Sequence, residues 1–276
     1  MGVLLGGLTS LLYGVGDFIG GQASRRSPAP AVVLGAGFIT LPLITVASLI
    51  VGGEATAPDW IAGGAAGFCG AVGLILLFAG LARGRAASVA PVAAAVGASV
   101  PVVAGVILGE RPSALAWTGV VIAIPAIVFC SWAPDHGHLK GGGVAYGLGA
   151  GSLFGAYTVV ISRTAEASGL LPLIPARAAF VVVMLILAAG GVWKLSAVRN
   201  VPRGLVAAHG VLDVAGNVTL LLALRLGSLV AVSIASSAYP AVTVALARLV
   251  NGEVLRRIQV AGVGLALTAL ILIALG

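Results

Sequence analysis

Ten apolar stretches, each about twenty residues long, follow one another through almost the whole chain. A helix needs about 20 apolar residues to cross the hydrocarbon core of a bilayer. Because backbone groups in lipid must hydrogen-bond to one another, the stretches are predicted to be membrane-spanning helices. The breaks between them are too short to hold a soluble domain. The predicted spans are 3–21, 31–52, 60–82, 88–108, 114–132, 143–162, 172–193, 204–224, 229–250 and 258–275.

The composition also indicates a membrane protein. Of the 276 residues, 60% are hydrophobic and 8% are charged, whereas soluble domains carry about 25% charged residues. The net charge of +7 would suggest nucleic-acid binding in a soluble protein. Here the cations fall mostly between the spans, so they indicate membrane orientation, and no nucleic-acid partner is expected. Cys69 and Cys130 lie inside apolar stretches, which does not favour a disulfide framework.

The second half of the sequence repeats the first. A shift of 143 residues aligns 60–132 with 203–275, and a shift of 141 aligns the beginnings of the halves. Two units are therefore predicted, 1–138 and 139–276, with five spans each. Because five is odd, the second unit enters the bilayer from the opposite side, as in many secondary transporters. The matched pairs include Tyr13-Gly14 with Phe154-Gly155, Gly84 with Gly227, and Gly109-Glu110 with Gly252-Glu253.

These motifs resemble the drug/metabolite transporter superfamily, EamA type. The similarity lies in the aromatic-glycine pair of each first helix, the Gly-Glu pairs, and the spacing from Tyr239-Pro240 to Gly252-Glu253. In the first half, Gly97 stands where the family's proline is expected. The resemblance implies ten helices in two inverted repeats. It also implies a transporter of small organic solutes, such as amino acids, other metabolites or drugs. Helices one, three, four, six, eight and nine would then line a central cavity.

Polar side chains occur inside several predicted spans. A carboxylate at the centre of a spanning helix costs at least about 2.5–3.5 kcal/mol, so Asp213 requires an explanation. His209, Asp213 and Asn217 follow one another at four-residue spacing along one face of helix eight, and Tyr13 and Asp17 do so on helix one.

Asp213 and Asp17 are interpreted as a proton- or cation-linked substrate site, because desolvation generally favours the protonated carboxylate. The alternative for Asp213 is a structural contact with His209 or Asn217. The alternative for Asp17 is that it reaches the water layer. We therefore predict a transporter that works by alternating access and is driven by protons. An uncoupled facilitator or exchanger, a channel and a membrane scaffold are the alternatives.

Arg177 could be the counter-ion of a substrate carboxylate or of Asp213, but extension of its side chain to the lipid headgroups is favoured. Three tyrosines could stack on a flat or cationic substrate or could anchor their helices at the interface. The predicted substrate- and ion-binding residues are Tyr13, Asp17, Tyr157, Arg177, His209, Asp213, Asn217 and Tyr239.

No enzymatic activity, cofactor or metal is expected. His136 and His138 lack further ligands nearby, and no HExxH, GxSxG or P-loop pattern occurs. Small residues at four-residue spacing, such as Gly63 with Gly67 and Gly16 with Gly20, favour close helix packing, which fits either a monomer or a homodimer. The Gly-Glu pairs are predicted to cap helices or act as hinges.

Cations are distributed unequally between the two faces. Eleven lie on the face opposite the termini, and four, Arg111, Arg163, Arg177 and Arg225, lie on the face of the termini. The positive-inside rule then places the termini outside, in a bacterial-type inner (plasma) membrane. The family resemblance implies instead that both termini are cytoplasmic.

Overall fold

The computed structural model describes residues 1–82, 86–130, 141–251 and 256–275. In these residues the regular structure is entirely helical, which confirms the all-α prediction. Two 3-10 helices, Glu166–Ser168 and Leu195–Asn200, flank α7. The α-helices are α1 Gly2–Ser24, α2 Ala29–Val51, α3 Ala57–Ala82, α4 Ala86–Ile107, α5 Ala114–Cys130, α6 Gly141–Ser162, α7 Leu173–Ala189, α8 Arg203–Leu226, α9 Leu229–Ser236, α10 Tyr239–Asn251 and α11 Arg257–Leu275.

Helices of the described chain are long and apolar enough to cross a membrane. Five of them contain at least 18 residues of suitable hydropathy, and the others are shorter apolar helices. Each of the ten predicted spans corresponds to a helix, except that the ninth is divided into α9 and α10 at Ser237 and Ala238. Pro240 is the second residue of α10 and has no backbone N–H to continue the hydrogen-bond ladder. Pro42 and Pro125, in contrast, lie inside unbroken helices.

The two halves, α1–α5 and α6–α11, pack mainly against each other. Helix α1 packs along α8, and its counterpart α6 packs along α3. Likewise α6 packs along α4, and its counterpart α1 packs along the divided helix α9 and α10. The last helices of the two halves, α5 and α11, pack against each other. Exchanging the halves therefore reproduces the principal packing pairs, as expected for a pseudo-twofold relation. The predicted boundary between residues 138 and 139 lies outside the described residues.

The aromatic-glycine pairs make equivalent contacts in the two halves. The Tyr13 ring lies against Gly216, where a Cβ would stand 2.5 Å from the ring, and the Phe154 ring lies against Gly73, where the distance would be 2.9 Å. Each ring thus crosses to the opposite half. Gly14, next to Tyr13, allows α10 to approach closely, since a Cβ there would lie 2.8 Å from the Tyr239 carbonyl oxygen. The repeated motif therefore holds the halves together.

The small-residue motifs serve packing inside one chain. Gly63 and Gly67 bring α3 onto α7, where added Cβ atoms would overlap the carbonyl oxygens of Pro172 and Ala176. Gly20 similarly accommodates the imidazole of His209, 3.1 Å from where a Cβ would stand. The close approach of these helices requires no second copy of the chain.

One end of the bundle is sealed by apolar packing. Ile44, Ile161, Leu170, Leu173 and Leu221 form a buried cluster there, each no more than 3% exposed. All five lie toward the loops that join α2 to α3 and α6 to α7, and we call this the sealed end.

The loops at the sealed end are bonded to each other. The Asp59 carboxylate accepts hydrogen bonds from the backbone N–H groups of Thr56, at 2.9 Å, and Ala165, at 2.7 Å. The Glu54 N–H donates to the Ala167 carbonyl at 2.7 Å. Arg225 donates to the Ala165 carbonyl at 3.2 Å. The bonds from Ala165 to Asp59 and from Glu54 to Ala167 tie the first half to the second outside the apolar cluster.

Glu110 caps a helix of the opposite half. Helix α4 ends at Ile107, and the chain turns through Gly109, whose φ is +99°. The Glu110 carboxylate then accepts the N–H groups of Leu229 and Val230, the latter at 2.9 Å, at the beginning of α9. An acid at this position satisfies free donors and complements the helix dipole. The counterpart, Glu253, lies outside the described residues.

Candidate functional site

A cavity of about 900 Å³ lies between the two halves. Its walls come from both halves, including α2 and α7, which the family resemblance did not include among the cavity-lining helices. Gly63 and Gly67 of α3 allow the backbone of α7 to approach closely, which brings α7 inward. The eight predicted site residues all line this cavity: Tyr13, Asp17, Tyr157, Arg177, His209, Asp213, Asn217 and Tyr239.

The cavity extends toward one end of the bundle. Its lining reaches Ser24 and Ala29, which flank the loop between α1 and α2. Toward the other end, Tyr157 and Asn217 lie at its floor, and the apolar cluster of the sealed end follows beyond them. We call the side of the α1–α2 loop the open end. A solute inside the cavity is therefore accessible from one side of the bundle.

An ion pair between α7 and α8 lies in the cavity wall. Arg177 Nη2 lies 2.9 Å from Asp213 Oδ2 and 3.2 Å from Asp213 Oδ1. The favoured interpretation of Arg177, extension to the headgroups, is therefore wrong. Arg177 stands one turn into α7, and its side chain points toward α8 and is only 15% exposed. The Asp213 carboxylate thus compensates the charge of Arg177 inside the bundle.

An amide and a phenol continue this polar network. Asn217 Nδ2 donates to Asp213 Oδ1 at 3.2 Å and to the Asp213 backbone carbonyl at 2.7 Å. The Tyr157 hydroxyl donates to Asn217 Oδ1 at 2.6 Å. The four-residue spacing on α8 places Asn217 directly next to Asp213, and α6 brings Tyr157 from the same half. The network holds the Asp213 carboxylate in one orientation.

His209 belongs to a different contact. Its Nδ1 lies 2.9 Å from the Gly16 carbonyl oxygen on α1. Because a carbonyl oxygen can only accept, Nδ1 is the donor in this hydrogen bond. The sequence offered Asn217 and His209 as structural partners of Asp213. Asn217 is hydrogen-bonded to Asp213, whereas the bond of His209 goes to Gly16. The imidazole instead joins α8 to α1, directly beside the helix turn that carries Asp17.

Asp17 presents its carboxylate to the cavity. It lies one turn after Tyr13 on α1 and is exposed, although α1 is surrounded by helices of the second half. Among the described residues, no hydrogen bond or ion pair involves its side chain. Tyr239 follows the break between α9 and α10 and contributes to the same wall, together with Ser236 and Ser237.

Sequence reasoning did not identify the apolar part of the cavity. Phe180 lines the wall one turn after Arg177, and Val33 and Thr40 contribute from α2. The sequence shows the spacing of these residues along their helices. In a spanning helix, however, apolar and hydroxyl side chains can equally face a cavity, the lipid or a neighbouring helix. Only Phe180 could have been found, through its three-residue spacing from Arg177.

The arrangement favours binding of a small solute. Ligand pockets commonly measure about 300–1,000 Å³ and combine apolar walls with a few polar groups. Within the described residues, no group of three or more His, Cys, Asp and Glu side chains could hold a metal ion.

Comparison with known proteins gives the family and the fold of the chain. The family model described as "EamA-like transporter family" matches the chain twice, over residues 1–132 and 141–275. No curated protein matches the sequence significantly. A solved structure, titled only "Crystal structure of protein", aligns with a TM-score of 0.79 at 16% sequence identity, covering 99% of this chain and 98% of that chain. That similarity shows the fold alone.

Proposed function

Because the chain belongs to the EamA-like transporter family, we propose that it moves a small organic solute across the membrane by alternating access, driven by a proton gradient. Family membership implies solute transport. The observation that carries the more specific proposal is a cavity of about 900 Å³, open at one end, with acidic and basic side chains in its wall. The solute would be an amino acid, another metabolite or a drug.

Alternating access follows from the relation between the halves. The equivalent contacts of Tyr13 and Phe154 show that the halves share one packing motif, and this supports the proposal that each half can adopt the arrangement of the other. If the halves exchanged arrangements, the open end would close and the sealed end would open. Inverted repeats of this kind commonly move against each other around a shared central site.

Proton coupling is proposed for Asp17 together with the network around Asp213. Arg177 compensates the charge of Asp213 inside the protein, whereas Asp17 has no such partner among the described side chains. A proton can compensate Asp17 when the cavity is empty. The Arg177–Asp213 pair also supports a second candidate, an uncoupled facilitator or exchanger, because a site with its charges paired internally needs no coupling ion.

The open end is proposed to face the cytoplasm. Arg177 lies in the cavity wall rather than at the face of the termini, so the cation count becomes eleven against three, Arg111, Arg163 and Arg225. The positive-inside rule then favours a cytoplasmic open end more strongly. A bacterial-type inner membrane remains the proposed location, with a monomer or homodimer as the functional unit.

Transport and coupling are tested together in proteoliposomes that contain a pH-sensitive dye. A thermal-shift screen against amino acids, nucleosides and cationic drugs first selects a ligand, because a ligand of the folded state raises its melting temperature. Saturable counterflow accompanied by proton movement is expected, and Asp17→Asn should abolish the proton movement.

Other outcomes would decide between the alternatives. Counterflow without proton movement would establish the facilitator or exchanger. Flux that is neither saturable nor capable of counterflow would indicate a channel, and absence of flux would indicate a scaffold. Glu54→Gln, which removes an exposed carboxylate outside the cavity, serves as the control and should leave counterflow and proton movement unchanged.

A further inference from the structure

The charges of the cavity wall do not balance. Arg177 and Asp213 compensate each other at 2.9 Å. His209 is engaged with the Gly16 carbonyl through Nδ1, and a neutral imidazole suffices for that bond. Asp17 then contributes one negative charge. Of the described lining residues, His209 is the group of opposite sign that acts on Asp17, but no ion pair or hydrogen bond joins the two side chains, and the imidazole is already bonded to Gly16. A ligand with one positive charge would restore neutrality in the cavity, and an anionic ligand would increase the imbalance.

The surroundings of Asp17 are aromatic. Tyr13 lies on the same face of α1 one turn earlier and lines the cavity. Tyr239 comes from the beginning of α10, which packs closely on α1 at Gly14. Thr243 Oγ1 fixes this contact by donating to the Gly14 carbonyl at 3.0 Å. A carboxylate flanked by aromatic rings is chemically suited to an organic ammonium group, which combines an ion pair with cation–π contacts.

A fixed neighbour limits how the Tyr13 ring can move. Gly216 stands directly against the Tyr13 ring, so α8 supports the ring from the side. Rings held in place lose little conformational entropy when a ligand binds, which favours recognition.

We propose that Asp17, Tyr13 and Tyr239 form a subsite for the ammonium group of a small organic cation, with Asp17 as its counter-ion. The inference rests on the proposed transport function and adds the charge class of the solute. Arg177 is less suited to be the principal contact for a substrate carboxylate, because Asp213 already compensates its charge through Nη2.

The test compares three probes that share a phenyl ring but differ in charge: phenethylamine, phenylalanine and phenylacetate. Their equilibrium binding to the purified full-length protein is measured near neutral pH by calorimetry. Phenethylamine is expected to bind more tightly than the other two. Asp17→Asn, which preserves side-chain shape, should weaken its binding by about tenfold or more, as expected for loss of a charged contact.

Control variants distinguish the subsite from general effects. Glu54→Gln removes an exposed carboxylate in the α2–α3 loop, outside the cavity, and should leave phenethylamine binding unchanged. Tyr13→Phe keeps the ring and should change binding by less than about threefold, whereas Tyr13→Leu should weaken it by about three- to tenfold. Thermal melting of each variant confirms that it is folded.

Several results would overturn the proposal. Tighter binding of phenylalanine would show a zwitterion site in which Arg177 holds the carboxylate. Absence of phenethylamine binding, or equal binding to wild type and Asp17→Asn, would show that Asp17 is not the counter-ion. Because the readout is equilibrium binding, these results leave the transport proposal standing. Absence of flux for every ligand that the thermal-shift screen selects would overturn the transport proposal alone.

Discussion

At the scale of single residues, the Arg177–Asp213 pair is the clearest departure from the sequence interpretation. An arginine near a helix end commonly extends to the headgroups. The structure instead directs it inward, where it meets Asp213 at 2.9 Å. The sequence identified both residues but could not determine their pairing, since that depends on the packing of α7 against α3 at Gly63 and Gly67.

A double-mutant cycle tests this pair. Arg177→Gln and Asp213→Asn should each lower the free energy of unfolding by about 1–3 kcal/mol, because each leaves a charged group without its partner. The double variant should lose clearly less than the sum, since neither charge then remains. Denaturant titration in mixed micelles gives these values. Additive losses would show that the two side chains do not stabilise each other.

At the scale of helices, hydropathy predicted the elements well. Every predicted span corresponds to a helix, because about 20 apolar residues in lipid have few other conformations. The division of the ninth span was not predicted. Pro240 lies at this division, whereas Pro42 and Pro125 lie inside helices that continue past them. Whether a proline bends or ends a helix depends on the contacts that satisfy the neighbouring backbone groups, which a single sequence does not specify.

The close contact between α3 and α7 provides a test with an internal control. Gly67→Ala should destabilise the protein by about 2 kcal/mol or more, because its Cβ would overlap the backbone of Ala176 and separate the helices. Gly64→Ala, in the same helix, has nothing within 4 Å of its Cβ and should be neutral or slightly stabilising. Unfolding in detergent measures both. Equal effects would contradict the contact described for α3 and α7.

At the scale of the whole molecule, the two halves form one interlocked body around the cavity. The termini lie at the sealed end, since Gly2 packs against Gly227 in the loop between α8 and α9. Sequence repetition predicted two halves with odd span counts, and odd counts require opposite orientation. Which end of the cavity is open could not be predicted, because that depends on apolar packing around Leu170 and Leu173.

Fusions to the C-terminus test the orientation. If the eleven-cation face is cytoplasmic, alkaline phosphatase fused after Gly276 should be active and a fluorescent protein at the same position should be dark. A matched pair of fusions in the α1–α2 loop should behave in the opposite way. A fluorescent C-terminal fusion would favour the cytoplasmic termini that the family resemblance implied.

Access to the cavity from the two sides tests alternation most directly and requires no substrate. Thr158 lines the cavity close to the sealed end and hydrogen-bonds only within its own helix among the described contacts. Thr158→Cys, in a background with Cys69→Ala and Cys130→Ala, is exposed to an impermeant maleimide in vesicles of either orientation. The pair Glu54→Cys and Ala167→Cys, whose backbones share a 2.7 Å hydrogen bond, allows the sealed end to be locked by oxidation beforehand.

Thr158→Cys should react from both sides when the sealed end is free. After oxidation it should react from the open end only, and reduction should restore reaction from the other side. Reaction from the open end alone in the unlocked protein, or reaction from the sealed end that oxidation does not change, would contradict alternating access through this cavity.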